Sequence, residues 1–287
     1  MRYAYFPGCS LSSTAEEYDI STRLVCRALG VELVEIPDWI CCGASAAHMT
    51  DRLLSLALPI KTLAWAEKEG LELVAPCAAC FGRLKQANLA VRDTPRLLRE
   101  VNALVGEDYK AQVHVWHPLE VIVHRVGLET VRERVKRPLD GLSIVPYYGC
   151  LLNRPKGMAE YDDPENPTSM DDLLEALGAT VPYWSYKMEC CGASLSLTHT
   201  EIVLKLSGDI LREAQEVGAD GIAVACPMCH SNLDMRQREI EKRRERAFGL
   251  PVLYFTQLLG LALGFNAEEL ALDRHFVSPR EMLRKVA

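Results

Sequence analysis

The chain has 287 residues, of which 49% are hydrophobic, and its formal net charge is −7. This length is enough to bury a core without disulfide staples, and the absence of a basic excess argues against nucleic-acid binding. The first residues do not have the pattern of a signal peptide, and the most apolar stretch, residues 250–265, is interrupted by Gln257 and Gly260. We therefore expect a cytoplasmic protein without direct membrane insertion.

In chain order, short apolar runs alternate with helical patterns, which predicts strands and helices in turn. The expected strands of the first half are residues 2–6, 31–36, 71–75 and 112–116, and those of the second half are 143–148, 180–184, 221–225 and 251–255. Long helices are expected at 51–69 and 201–217. This alternation predicts an α/β fold of two pseudo-symmetric repeats, residues 1–140 and 141–287, each a small parallel sheet with flanking helices.

The two predicted repeats share cysteine motifs. The sequence CCGAS occurs at 41–45 and 190–194, and C-x-x-C occurs at 77–80 and 226–229, both at an offset of 149. A Gly-Cys pair occurs at 8–9 and again at 149–150, at an offset of 141. The difference between these offsets is a net insertion of about eight residues, which we place in the polar, proline-rich stretch 153–167.

Each repeat contains five motif cysteines, spaced C-x31-CC-x34-C-x2-C in the first half and C-x39-CC-x34-C-x2-C in the second. Three of the five follow predicted strands, so a parallel sheet would gather them at its carboxyl edge. Soft thiolates grouped in this way suit iron–sulfur clusters. We predict one cluster per repeat, with these ligands: Cys9, Cys41, Cys42, Cys77, Cys80, Cys150, Cys190, Cys191, Cys226 and Cys229.

Disulfides and zinc are the alternatives. Cys41 and Cys42 are adjacent, so their Cα atoms lie about 3.8 Å apart, whereas a relaxed disulfide prefers about 5.5–6 Å. A zinc site needs four thiolates and would leave one cysteine of each set without a role. A cubane cluster with a spare cysteine also stays open. The eleventh cysteine, Cys26, aligns with Leu174 of the second repeat, so we expect it to pack in the core.

The complete set of ten motif cysteines, which spans nearly the whole chain, resembles the paired CCG domains of the B component of heterodisulfide reductase. The resemblance implies that each set of five holds a noncubane 4Fe-4S cluster. It further implies a catalytic subunit that reductively cleaves, or forms, a disulfide such as coenzyme M–coenzyme B between the two clusters, without a conventional catalytic nucleophile. The implied partners are a small ferredoxin-like iron–sulfur subunit, equivalent to the C component of that enzyme, and a flavin-containing subunit, equivalent to its A component.

CCG units also resemble parts of other oxidoreductases, which leaves alternatives open. One alternative is a subunit that acts on another disulfide, a persulfide or a quinone-linked acceptor. The other is a subunit that transfers electrons without catalysis. A substrate with a sulfonate, phosphate or carboxylate group would need cations near the motifs, although a solvated surface explains such residues equally well. The candidate substrate contacts are Arg83, Lys85, Arg154, Lys156, Lys187 and His230.

Overall fold

The structure is a computed structural model that describes residues 1–44, 47–154 and 162–286, apart from the side chain of His48. Within these residues, the strands form two sheets in which all neighbouring strands are parallel. The strands are β1 (Arg2–Tyr5), β2 (Glu32–Glu35), β3 (Leu73–Val74), β4 (Val115–Trp116), β5 (Ile144–Tyr147), β6 (Gly221–Val224) and β7 (Val252–Tyr254). The first sheet has the order β2-β1-β3-β4, and the second has the order β5-β6-β7.

The second sheet is the counterpart of the first with one strand reduced to a single bridge. Thr180 pairs in parallel with Ser143, at the place that β2 occupies beside β1. The expected strand 180–184 does not continue from this bridge. Pro182 has no N–H to donate to a ladder, and the indole N–H of Trp184 donates to the carbonyl of Pro146 at 3.0 Å. The side chain therefore attaches this segment to β5 in place of a backbone ladder.

Helices cover the sheets and connect the strands. In the first half they are α1 (Gly8–Leu11), α2 (Glu16–Ala28), α3 (Ala47–Thr50), α4 (Arg52–Lys68), α5 (Ala78–Arg92), α6 (Pro95–Val105), α7 (Pro118–Glu120) and α8 (Leu128–Arg134), with a π-helical segment, Val121–Gly127, between the last two. In the second half they are α9 (Ser169–Ala176), α10 (Thr200–Glu216), α11 (Pro227–Leu233), α12 (Gln237–Arg244), α13 (Phe255–Ala262) and α14 (Arg280–Leu283). The predicted fold class and both long helices are confirmed.

One continuous apolar core extends through both halves of the chain. Helix α2 of the first half packs on α13 of the second, where the rings of Tyr18 and Tyr254 stack at 4.1 Å and Ser21 hydrogen-bonds Thr256 at 2.7 Å. Cys26 is buried against β1 and β3, as expected for a thiol that packs as a small apolar side chain. Within the described residues, no helix is long and apolar enough to cross a membrane.

Candidate metal centre

Each C-x-x-C motif follows a buried strand and begins a helix. Cys77 lies between β3 and α5, and Cys226 lies between β6 and α11. The backbone N–H of Cys229 helps to lower the pKa of Cys226, and that of Cys80 acts in the same direction on Cys77, whose pKa the neighbouring Cys226 nevertheless raises. Free N–H groups at a helix start favour a thiolate over a thiol. The two motifs thus present sulfur at the carboxyl edges of their sheets.

The first cysteine of each set follows a glycine that lies against the C-x-x-C motif. Gly8 and Gly149 have φ angles of 69° and 68°, in the left-handed region that other residues rarely adopt. A Cβ at Gly8 would lie 3.0 Å from the Cys80 sulfur, and a Cβ at Gly149 would lie 3.0 Å from the Cys229 sulfur. Glycine therefore lets the chain pass close to the sulfur atoms in both halves.

Each half contains at least one pair of sulfur atoms that lie close together without forming a disulfide. Cys42 and Cys80 are 3.2 Å apart, Cys191 and Cys229 are 3.6 Å apart, and Cys150 and Cys190 are 3.9 Å apart between Sγ atoms. All eleven cysteines are free thiols. Thiolates on one tetrahedral metal ion lie about 3.8 Å apart, since each metal–sulfur bond is about 2.3 Å. The thiol donors therefore fit a metal centre in each half.

The pairs of thiols change one another's acidity. The hydrogen bond with Cys80 lowers the pKa of Cys42 to about 7, and the Arg83 cation also lowers it. The hydrogen bond from Cys150 lowers the pKa of Cys190 to about 6. The thiols that hold the shared protons move the opposite way, since a neighbouring sulfur and burial both raise the pKa of Cys80. Each half thus has at least one thiol prepared to lose its proton to a metal ion.

Each set has an inner side and an outer side. The second cysteine of the CC pair and both cysteines of C-x-x-C are buried in either half. The outer thiols are exposed or partly exposed, and they are Cys9 and Cys41 in the first half and Cys150 and Cys190 in the second. Two backbone groups point to this outer side, where the N–H of Gly43 meets the Cys41 sulfur and the N–H of Gly192 meets the Cys190 sulfur at 3.4 and 3.3 Å. A molecule in solution can therefore reach only one side of each set.

The two sets meet at their inner sides. The thiols of Cys77 and Cys226 face each other across the two halves, close enough that the neighbouring Cys226 raises the pKa of Cys77. The carbonyls that precede them, Pro76 and Ala225, both lie within hydrogen-bonding distance of His117 Nε2, at 2.7 and 3.2 Å. His117 Nδ1 accepts the backbone N–H of Leu119 at 3.2 Å, which places the ring proton on Nε2. One imidazole N–H thus holds the two C-x-x-C motifs side by side.

Tyr18 strengthens this connection. Its hydroxyl donates to the carbonyl of Pro76 at 3.2 Å and lies 3.4 Å from that of Ala225. Burial lowers the pKa of His117 to about 4, so its ring is neutral at pH 7. Neither residue was predicted from the sequence. A signal exists for His117, which directly follows the last strand of its repeat and is followed three residues later by the capping Glu120. No comparable signal marks Tyr18.

The candidate substrate contacts differ in whether their polar atoms already have hydrogen-bond or ion-pair partners. Arg154 is partly exposed, pairs with Glu165 at 2.6 Å and donates to the carbonyl of Pro164 at 3.2 Å. The Arg83 cation lies near Cys42. The Nζ atom of Lys85 is buried and has no hydrogen-bond partner in the part of the chain that the structure describes. Lys156 lies outside the described residues.

Lys187 and His230 are buried. The Lys187 ammonium binds Asp171 at 2.6 Å. The backbone carbonyl of Lys187 accepts hydrogen bonds from the backbone N–H groups of Tyr148 and Gly149 at 3.0 and 3.1 Å. His230 Nε2 lies 3.0 Å from the carbonyl of Val252 and 2.9 Å from Nδ1 of His275. Their side chains therefore hold loops and strand ends beside the cysteines.

Comparison with known proteins places the chain among cysteine-rich redox subunits. The profile of the cysteine-rich CCG domain matches residues 3–85 and 144–234. The chain is 32% identical over 281 residues to the membrane anchor subunit of the 8-methylmenaquinol:fumarate reductase of Wolinella succinogenes, covering 98% of both chains. It is 30% identical to the B component of the ferredoxin/F(420)H(2)-dependent CoB-CoM heterodisulfide reductase of Methanosarcina acetivorans, covering 99% of this chain and 97% of the relative.

A third relative and one solved structure extend these similarities. A protein of Archaeoglobus profundus, named as similar to the B component of heterodisulfide reductase, is 31% identical, with coverage of 99% of this chain and 97% of the relative. The crystal structure of a hypothetical protein from Helicobacter pylori superposes with a TM-score of 0.77 at 15% identity, covering 96% of this chain and 52% of that one. At this identity the structural likeness establishes a shared fold.

Proposed function

Because the chain belongs to the cysteine-rich CCG-domain family that includes the B component of heterodisulfide reductase, we propose that it is the catalytic iron–sulfur subunit of a heterodisulfide-reductase-type complex. The reaction is the reductive cleavage, or the formation, of a disulfide such as coenzyme M–coenzyme B. The observation that carries the proposal is the pair of equally built cysteine sets, which meet at Cys77 and Cys226. Such an arrangement suits a substrate that reacts at two sulfur atoms.

Each repeat, residues 1–140 and 141–287, holds one noncubane 4Fe-4S cluster through its five motif cysteines in this proposal. Ligation by all five explains why both sets contain a fifth thiol, which a four-thiolate zinc site would not use. The 3.2–3.9 Å separations between paired sulfurs fit thiolates that share a metal centre. Bound clusters would relay the two electrons, supplied by a partner subunit, that convert one disulfide into two thiolates, and their iron would supply a Lewis acid near the developing negative charge.

The residues of the chain contribute position and access. Gly8 and Gly149 let the backbone approach the sulfur atoms, and the Lys187 carbonyl fixes the backbone that leads to Cys150. The outer thiols leave one side of each set open to substrate, while burial keeps water from the inner side. His117 and Tyr18 hold the two sets at a fixed separation. This is preorganisation of two metal centres around one substrate.

Charged groups of the substrate need their own contacts. We assign Arg154 and Lys156 to this role, since both lie in the insertion that makes the second repeat unlike the first. An asymmetric disulfide would use such a difference to bind in one orientation. Lys187 and His230 act by holding the motif loops in this proposal, because their polar atoms already have partners within the protein.

The proposed partners are a ferredoxin-like iron–sulfur subunit, equivalent to the C component of heterodisulfide reductase, and a flavin-containing subunit, equivalent to its A component, in the cytoplasm. Electrons would enter at the outer side of one set. No nucleic acid takes part, in keeping with the net charge of −7.

A quinone-linked reaction is the second candidate. The similarity to the fumarate reductase subunit of Wolinella succinogenes is as high as that to the heterodisulfide reductase components. In this case the chain would pass electrons from a menaquinol to a partner subunit, and no disulfide would react.

Anaerobic turnover assays distinguish the two reactions. Protein reconstituted with iron and sulfide is mixed with a reduced viologen and either coenzyme M–coenzyme B heterodisulfide or a menaquinone analogue. Release of thiols from the heterodisulfide supports the proposed function. If the protein oxidises the dye with the menaquinone analogue but not with the heterodisulfide, the proposed function is rejected in favour of the second candidate. Cys26→Ala, outside both sets, is the matched control for substitutions of the ten motif cysteines.

A further inference from the structure

The hydroxyl of Tyr254 is a buried donor with nothing to bind. Its oxygen is shielded from solvent and has no hydrogen-bond partner among the described residues. Nearly all buried polar groups in folded proteins find a partner, so an orphaned hydroxyl calls for an explanation such as a bound group. Tyr254 is therefore a candidate contact for something that the fold is built to hold.

The position of Tyr254 points to the second cysteine set. It ends β7, where it pairs in register with Val224 of β6, and β6 leads directly to Cys226. Its ring is fixed between Tyr18 at 4.1 Å and His230 at 4.5 Å, both nearly parallel to it. Burial raises the pKa of Tyr254, and Glu17, Tyr18, Cys226 and Cys77 raise it further in that order, which places both sulfurs among the groups around the hydroxyl.

The equivalent position in the first repeat carries a different donor. His117 directly follows the last strand of its sheet, and the backbone N–H of each of the two residues is capped by the side chain three residues later, Glu120 or Gln257. The Nε2 proton of His117 is directed at two backbone carbonyls, so it has none left for a ligand. The two repeats thus have the same cysteines and unlike donors beside them.

We propose that the Tyr254 hydroxyl donates a hydrogen bond to a sulfur of the iron–sulfur centre held by the second set, and that this makes the two centres unequal in reduction potential. The inference rests on the cluster ligation of the proposed function. A donor stabilises the extra negative charge of the reduced centre, which raises its potential. The second set is then reduced before the first, which gives the electrons a defined order.

The substitution Tyr254→Phe removes only the hydroxyl. Because this hydroxyl has no partner in the described part of the chain, the metal-free variant should melt at or above the temperature of the metal-free parent chain, which checks its fold. In the cluster-loaded variant, redox titration followed by electron paramagnetic resonance should show one centre whose reduction equilibrium is about tenfold less favourable, as expected for loss of a hydrogen bond to a charged acceptor. The other centre should stay within about twofold of the parent value.

A spectroscopic signature tests the contact itself. Electron–nuclear double resonance of the parent protein in H2O and D2O should show an exchangeable proton coupled to one centre, and Tyr254→Phe should lack it. Tyr147→Phe is the matched control, since its hydroxyl is near other cysteines of the second set, Cys229 and Cys191 among them, but donates to the carbonyl of Glu189 at 2.6 Å. It should keep the coupled proton.

The outcomes separate the inference from the function on which it rests. Two intact centres with unchanged potentials and an unchanged proton coupling in Tyr254→Phe would overturn the role of Tyr254 alone. A parent chain that binds no iron–sulfur centre at all would instead overturn the proposed function.

Discussion

Gly149→Ala is expected to remove iron from the second cysteine set while leaving the first intact. The new Cβ would lie 3.0 Å from the Cys229 sulfur, inside the 3.5–4.0 Å of an ordinary contact, so the sulfur must move by roughly 0.5 Å. Metal–ligand distances tolerate only about 0.2 Å. The strained φ of 68° adds a cost of roughly 1–2 kcal/mol in the free energy of unfolding.

Gly218→Ala separates the effect of the strained φ angle from that of the contact with the Cys229 sulfur. Gly218 has a φ of 75°, but a Cβ there would meet no atom within 4 Å. Both variants should therefore lose a similar 2–8 °C in melting temperature, at roughly 2–4 °C for each kcal/mol. After anaerobic reconstitution, Gly149→Ala should hold about half of the parent's iron and Gly218→Ala should hold all of it. Equal iron in the two variants would refute the idea that Gly149 makes room for a metal-bound sulfur.

Further predictions concern stability and the role of single residues. His117 has a pKa of about 4 because of burial, while the unfolded chain takes up its proton near pH 6.5, so His117 contributes stability at pH 7 that is lost as the pH falls from about 6.5 to 4. Melting temperatures measured across this range should fall less steeply in His117→Gln than in the parent, and equal slopes would contradict the assignment. Lys187→Met should cost about 1.5–3 kcal/mol because it leaves the half-buried Asp171 with the Tyr148 hydroxyl but without its ion pair, and adding Asp171→Asn should recover part of this in urea unfolding. The KM of Lys187→Met for the heterodisulfide should stay unchanged, and a rise of tenfold or more would make Lys187 a substrate contact. Cys26→Ala should retain all iron, since a loss would place this core thiol among the ligands.

The cysteine spacing predicted much of the architecture because parallel strands bring distant motifs to one edge of a sheet. Strand 180–184 was wrong beyond Thr180, since the Pro182 backbone has no donor and the Trp184 indole takes over the attachment to the neighbouring strand. No local sequence pattern indicates that a side-chain hydrogen bond will replace the backbone pairing of a strand.

The contact between the two sets was not predictable from the repeats. It depends on Tyr18 and His117, whose partners are backbone carbonyls that are remote in sequence. Every residue has a backbone carbonyl, so the sequence does not show which carbonyls accept these hydrogen bonds. The motifs therefore predict the ligands of each set but not the contacts that join the two sets. The burial of Lys187 was likewise hidden, because its partner Asp171 precedes it by 16 residues in a separate element.

Under the proposed function, the two cysteine sets hold iron–sulfur centres that react with a thiol or disulfide. Electron paramagnetic resonance of anaerobically prepared protein after oxidation, with and without coenzyme M, tests it most directly, together with the iron and sulfide content. We expect about eight irons per chain and a signal that changes when the thiol is added. Zinc in place of iron, or an iron signal that ignores the thiol, would contradict the catalytic role.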